Sequence, residues 1–161
     1  MTLKGIITGG NSLSNRAAVL LLMCCPLVIL CIGCNRRPSS YQVARVASPN
    51  GNLEAVLTET NGGATTSFGY DVTVGVKGTR NAEKVASLYG AIRNEQAYGV
   101  NLSWADNHVL RIQYLRAKSV QDVRKTVDLN GQQVEVVLQS GIVDITAPAG
   151  GMQFTLQKQP H

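Results

Sequence analysis

The sequence predicts an all-β domain, a single small antiparallel β-sandwich or partly open barrel, behind an N-terminal apolar signal helix. Three observations predict it. Apolar and polar residues alternate with a period of two through much of the chain after Tyr41, as in LEAVLTET (Leu53 to Thr60) and FGYDVTVGV (Phe68 to Val76). That is the period of a half-buried strand. Turn-forming clusters, Ser48-Pro49-Asn50-Gly51 and Asn130-Gly131 among them, separate these runs at the spacing of a sandwich or small barrel. Ahead of them all, Ala17 to Cys34 (AAVLLLMCCPLVILCIGC) carries no charge and stands apart from the rest.

That run sets the compartment. Lys4 and Arg16 precede it, no acidic residue does, and it closes on Ile32-Gly33-Cys34. A basic region, an apolar region and a small-residue end is the order of an export signal. Ile32-Gly33-Cys34 resembles the last three positions of the site at which bacterial lipoproteins are cut before a lipidated cysteine. It departs from that pattern at Cys31, where Leu is usual. The resemblance implies lipidation of Cys34 by diacylglycerol and acyl groups such as palmitate, and hence a membrane as partner. Two or three chains hold a protein at a bilayer far better than one. The competing reading is an uncleaved anchor. At about 1.5 Å per residue the run only just spans a hydrocarbon core of about 30 Å, and Arg36 and Arg37 follow it directly. The lipoprotein reading is favoured, and both place the remainder outside the cytoplasm.

The expected organisation is a signal peptide over 1–33, a lipidated tether over 34–40, a β domain over 41–157 and a tail over 158–161. The four cysteines are Cys24, Cys25, Cys31 and Cys34, so the domain has no cysteine for a disulfide, a nucleophile or a metal site. Removing 1–33 leaves 128 residues, enough for one core. It also removes Lys4 and Arg16, leaving 13 basic and ten acidic residues, a formal charge of +3. The basic residues are scattered without aromatic interleaving, which argues against nucleic acid.

Within the domain, Asn35 to Ser40 (NRRPSS) reads as an extended tether. Tyr41 to Val46, the Ser48-Pro49-Asn50-Gly51 turn and Leu53 to Thr60 read as a β-hairpin. Asn61 to Ser67 is a loop and Phe68 to Val76 a strand with Phe68, Tyr70, Val72, Val74 and Val76 on one face. Ala82 to Ile92 fits either a helix, through Val85, Leu88, Tyr89 and Ile92, or a strand, and the strand is preferred. Arg93 to Ala97 reads as polar loop. Val100 to Trp104 and Val109 to Leu115 pair around Ala105-Asp106-Asn107-His108, with Trp104 as a core anchor. Arg116 to Arg124 is polar, with room for a short helical turn. Thr126 to Leu129 and Gln132 to Leu138 flank Asn130-Gly131, a strong hairpin signal. Ile142 to Thr146 and Met152 to Leu156 are two closing strands.

Taken together, Ser48-Pro49-Asn50-Gly51, Asn61-Gly62-Gly63-Ala64-Thr65-Thr66 and Trp104-Ala105-Asp106-Asn107 resemble the S-P-[DN]-G, G-A-T-T and W-x-[DN]-[DN] segments of a family of small bacterial envelope proteins without an assigned activity. The resemblance covers Val46 to Tyr114. It implies a strand-rich envelope domain, carries over no catalytic residue, and marks Gly63, Ala64, Thr65 and Thr66 as a candidate ligand or partner loop.

Little else points to chemistry. His108 is the one internal histidine, no histidines share metal-ligand spacing, and no carboxylates cluster, so no metal and no cofactor are expected. Gly62-Gly63 lacks the Lys-Ser/Thr of a phosphate loop. The weak catalytic candidates are Asp106 with His108 and Asp71 with Thr65. The leading expectation is a non-enzymatic lipoprotein domain contacting an envelope protein, peptidoglycan or a small ligand through the G-A-T-T loop and adjoining hairpin tips. The alternatives are a membrane-tethered enzyme and an inhibitor or immunity-type domain.

Overall fold

A computed structural model describes residues 38–147. The expected export signal with Cys34, the expected tether before Pro38, the expected strand Met152 to Leu156 and the expected tail lie outside the described residues. Eleven strands follow in chain order: β1 (Ser39–Ala47), β2 (Leu53–Asn61), β3 (Gly69–Val76), β4 (Ala82–Tyr89), β5 (Arg93–Asn94), β6 (Ala97–Tyr98), β7 (Val100–Trp104), β8 (Val109–Tyr114), β9 (Ser119–Gln121), β10 (Thr126–Leu129) and β11 (Gln132–Ser140). Among the described residues there is no helix, so the domain is all-β.

Two sheets sandwich one core. The first has the order β1-β2-β3-β4-β9 and is antiparallel throughout. The second has the order β10-β11-β8-β7, and β5-β6 is a separate two-stranded ribbon. Period-two alternation supplies the core. Along β2, Leu53, Ala55, Leu57 and Glu59 point inward, and along β3 Tyr70, Val72 and Val74 do. They meet Val85 and Leu88 of β4, Val100 of β7, Leu110 and Ile112 of β8, and Val134 and Val136 of β11. One ladder in the second sheet is parallel: Glu135 to Ser140 of β11 run beside Val109 to Tyr114 of β8. Turn chemistry specifies hairpins but says nothing of a strand returning beside one it does not follow, so the wholly antiparallel expectation needs this amendment.

Ala82–Tyr89 is a strand, and a β-bulge explains its mixed pattern. Val72 faces Ala86 while Thr73 faces Lys84, which leaves Val85 as the extra residue. The insertion reverses the side-chain parity. Val85, Ala86 and Leu88 are therefore all buried, and the spacing of three between Val85 and Leu88 imitates a helix. At Asn130-Gly131 both residues have positive φ, 56° and 83°, as a two-residue hairpin loop of type I′ requires.

Four expectations are corrected. Strand β1 begins at Ser39, so Ser39 and Ser40, expected in a tether, are part of the sheet. Arg93 to Ala97 is not a polar loop: it holds β5 and the start of β6, and Arg93 is buried. Ser119–Gln121, within the stretch given room for a helical turn, is an edge strand pairing with β4. Ile142 to Thr146 is not a strand. Asp144 accepts at Oδ1 from the Thr146 amide and hydroxyl, and Ala147 N donates to Asp144 O, closing a turn that leaves no free ladder.

The sandwich has two ends. At the entry end Ser39 pairs with Asn61, so the chain joins the sheet beside the loop over 62–68. The β5-β6 ribbon and the segment 141–147 lie there too, linked by Asp144 N donating to Gln96 O at 2.8 Å. At the tip end are the turns over 48–52, 77–81, 105–108 and 130–131.

Candidate functional site

The G-A-T-T loop connects β2 to β3 at the entry end. Asn61 Oδ1 accepts from Gly63 N at 2.9 Å, and Thr66 N and Oγ1 both donate to Gly63 O at 3.1 Å. Gly63 has φ 103°, outside the reach of most side chains. Ser67 N donates to Tyr89 Oη at 3.1 Å, and Lys118 Nζ donates to Ser67 Oγ at 2.8 Å. That amide, then the Ser67 side chain, favour the phenolate and hold Tyr89 below the usual phenol value. The loop is thus fixed by its own backbone, with Thr66 consumed in the turn and Ala64 and Thr65 exposed. It offers a neutral polar edge suited to hydrogen bonding, without a base beside a nucleophile.

Beneath it lies a cluster that sequence reasoning missed. Glu59 continues the inward stripe of β2 opposite Tyr70 of β3. Arg93 reaches it from β5, Nη1 to Oε2 at 3.2 Å, with both side chains almost wholly buried (3% and 7% exposed). Arg93 Nη2 also donates to Tyr98 Oη. Its guanidinium carbon stands 4.0 Å from the Phe68 ring centre and 4.5 Å from that of Tyr98, the geometry of cation–π contact. The Tyr70 hydroxyl is buried close enough to feel the Glu59 charge, yet no acceptor meets it at good hydrogen-bond geometry. Burial first, then the Glu59 carboxylate, push this phenol well above its usual value, with Arg93 opposing in part. This cluster ties the ribbon to the first sheet and is closed to a ligand. Its signal was half legible: Glu59 falls on the parity of Leu53, Ala55 and Leu57, whereas nothing in Arg93-Asn94-Glu95-Gln96 marks Arg93 as internal.

The outer face of the first sheet carries a polar group on β3 and β4. Ser87 Oγ donates to Asp71 Oδ1 at 2.6 Å, and Lys84 Nζ donates to Asp71 at 3.2 Å and Ser87 at 3.0 Å. Asp122 lies 3.6 Å from Lys84. A serine–lysine pair needs a neutral amine as base. Here the hydrogen bond to Asp71 raises the Lys84 ammonium above its usual value, so it stays charged. Asp71 spends its Oδ1 on Ser87 and Lys84 rather than on Thr65. Asp106, the other weak catalytic candidate, accepts from the His108 and Val109 amides at 2.7 and 2.9 Å, leaving the exposed His108 ring outside the exchange. Among the described residues no group of three or more His, Cys, Asp or Glu is placed to hold a metal.

At the tip end two of the singled-out motifs meet. Asn50 N donates to Asn107 Oδ1 at 2.8 Å, and Trp104 Nε1 donates to Val46 O at 3.0 Å. Ser48 Oγ receives Leu53 N at 3.0 Å and donates to Asn50 Oδ1 at 2.8 Å, which fixes the first turn internally. Beside this joint open two clefts of about 340 and 410 Å³ that share Val76, Leu129 and Asn130. Asn52, Lys77 and Gln132 line one, Arg80, Glu83 and Asp128 the other. The G-A-T-T loop is therefore not part of one surface with the S-P-N-G and W-A-D-N tips. They sit at opposite ends of the sandwich.

No family model, no curated protein and no solved structure matches this chain.

Proposed function

We propose that this chain is an exported envelope lipoprotein, held at the membrane through Cys34, whose sandwich is a non-enzymatic binding module for an envelope protein, peptidoglycan or a small polar ligand. The observation that carries the reading is the pairing of Ser39 with Asn61. It puts Ser39, where the described chain enters, at one end of the sandwich, which supports a tether that reaches the domain from that end. The joined hairpin tips and their clefts then face away from the tether, where a partner in the envelope is met. Their lining of amides, one apolar floor and charges of both signs suits a polar ligand held by hydrogen bonds. The loop Gly63-Ala64-Thr65-Thr66 takes a second role under this reading, as a contact next to the bilayer.

The non-enzymatic reading is supported by the way the polar clusters are used. Asp106 is committed to its own turn, and Ser87 and Asp71 bond each other on the outer face of the sheet beside a Lys84 ammonium that stays charged. The test has two parts. Intact mass of protein from native membranes is expected to match residues 34 to 161 plus a diacylglyceryl group. The unmodified full chain would replace the lipid by an uncleaved anchor. Crosslinking in native envelopes from a photoreactive group at Lys77 is expected to capture a partner that a group at Arg111, on the body of the second sheet, does not. Equal capture from both positions would remove the tip end as the binding surface.

A further inference from the structure

We infer that the segment Ile142, Val143 and Ile145 at the entry end is a membrane-contact patch that seats the sandwich on the lipid surface. The inference rests on the membrane tether proposed above and adds a second, non-covalent contact to it. Ile145 is 95% exposed, Val143 54% and Ile142 36%. Such adjacent aliphatics in water are unusual on a protein this well packed, since apolar surface gains by leaving water.

These side chains are held outward by an ordered backbone. Gly141 N donates to Leu115 O at 2.9 Å, Ile142 N to Tyr114 O at 3.2 Å and Asp144 N to Gln96 O at 2.8 Å. The Asp144 carboxylate, holding Thr146, fixes the turn between Val143 and Ile145. The β5-β6 ribbon that receives the Gln96 contact is itself tied down by the Arg93–Glu59 pair. The patch is thus built on the rigid end of the sandwich.

Chain length says what covers it. From Cys34 to Ser39 are five residue steps, at most about 18 Å fully extended. Whether Cys34 carries a lipid or ends an uncleaved anchor, Ser39 stays within that distance of the membrane boundary. The entry end therefore cannot move far from the lipid, and the tethered surface sees it at high effective concentration. Charges at this end are of both signs, Arg116 and Lys118 with Glu95 and Asp144, so apolar insertion rather than attraction to anionic lipid is the driving term.

The test uses the full chain purified from native membranes and reconstituted into vesicles of phosphatidylethanolamine and phosphatidylglycerol, a portion of them brominated on the acyl chains. Ile145→Trp places a reporter at a side chain that packs against almost nothing. The unsubstituted protein is the reference, because its one tryptophan, Trp104, lies at the tip end. The expected result is flotation of both proteins with the vesicles, and loss of emission to brominated lipid in Ile145→Trp alone. Flotation without that loss overturns the contact patch and leaves the tether standing. A blue-shifted, unquenched reporter also overturns it, since another part of the chain then covers the patch. Failure to float overturns the tether and the patch together.

Discussion

The backbone amide of Asn50 donates to the side-chain oxygen of Asn107 at 2.8 Å, across 57 positions of sequence. With Trp104 Nε1 on Val46 O, it fastens the β1-β2 hairpin to the β7-β8 hairpin at one corner of the sandwich. Strand β1 is the edge of the first sheet and β7 the edge of the second. The joint therefore covers part of two open edges with side-chain donors and acceptors, one way of protecting an edge from unwanted pairing.

If the two hydrogen bonds act as one joint, their loss is not additive. Asn107→Ala and Trp104→Phe should each cost about 0.5–1.5 kcal/mol, the range of a net hydrogen bond. Urea denaturation of the two single variants and the double variant is expected to give a coupling of about 0.5 kcal/mol or more. Additive losses would mean that the two motifs stabilise their own hairpins independently.

The Arg93–Glu59 pair makes a sharper prediction. Arg93→Leu strands a buried carboxylate and should cost about 3–5 kcal/mol. Replacing both members, with Glu59→Leu in the same chain, should regain most of that loss, because the desolvated charge is gone. A double variant as unstable as the single one would show that packing around the guanidinium, rather than its charge, holds the ribbon.

Tyr70 sets an alkaline limit. Its phenol is raised in the folded protein, so the native state keeps a proton that the unfolded chain releases above the usual value of 10.0. The stabilisation is complete below that value and is lost as pH climbs past it toward the folded value. Urea midpoints measured between pH 8 and 11 should fall at the top of the range, more steeply for the native chain than for Tyr70→Phe. At neutral pH Tyr70→Phe should be neutral or stabilising, since it removes a buried hydroxyl lacking a well-placed partner. Parallel alkaline profiles would exclude Tyr70 as the titrating group.

Gly99 has φ 81°, and a Cβ placed there would stand 2.5 Å from the Tyr70 hydroxyl. Gly131 has nearly the same φ, 83°, with nothing within 4 Å. Alanine at Gly131 should cost about 1–2 kcal/mol from the backbone alone. Alanine at Gly99 should cost more, the excess measuring how far Tyr70 resists displacement. Thermal unfolding of the two variants decides it, and equal losses would show that Tyr70 moves freely.

Local pattern carried much of this protein by itself. Alternation in Leu53 to Thr60 and Phe68 to Val76 determined which side chains enter the core, because a strand places alternate residues on opposite faces whatever it pairs with. Asn130-Gly131 determined its hairpin, because only residues tolerant of positive φ close so short a turn. Tertiary structure decided what depends on distant partners. The parity of β4 was hidden by a bulge that exists only against β3. The parallel course of β11 beside β8 follows from packing rather than from any turn signal. Arg93 looked like a loop residue until Glu59, Phe68 and Tyr98 were brought around it, since a buried charge is read from its partners. The same holds for the candidate sites. The sequence marked the G-A-T-T loop and the hairpin tips by their residues alone, but only the tertiary structure brought the W-A-D-N tip against the S-P-N-G turn and set the entering chain at the other end, beside the G-A-T-T loop.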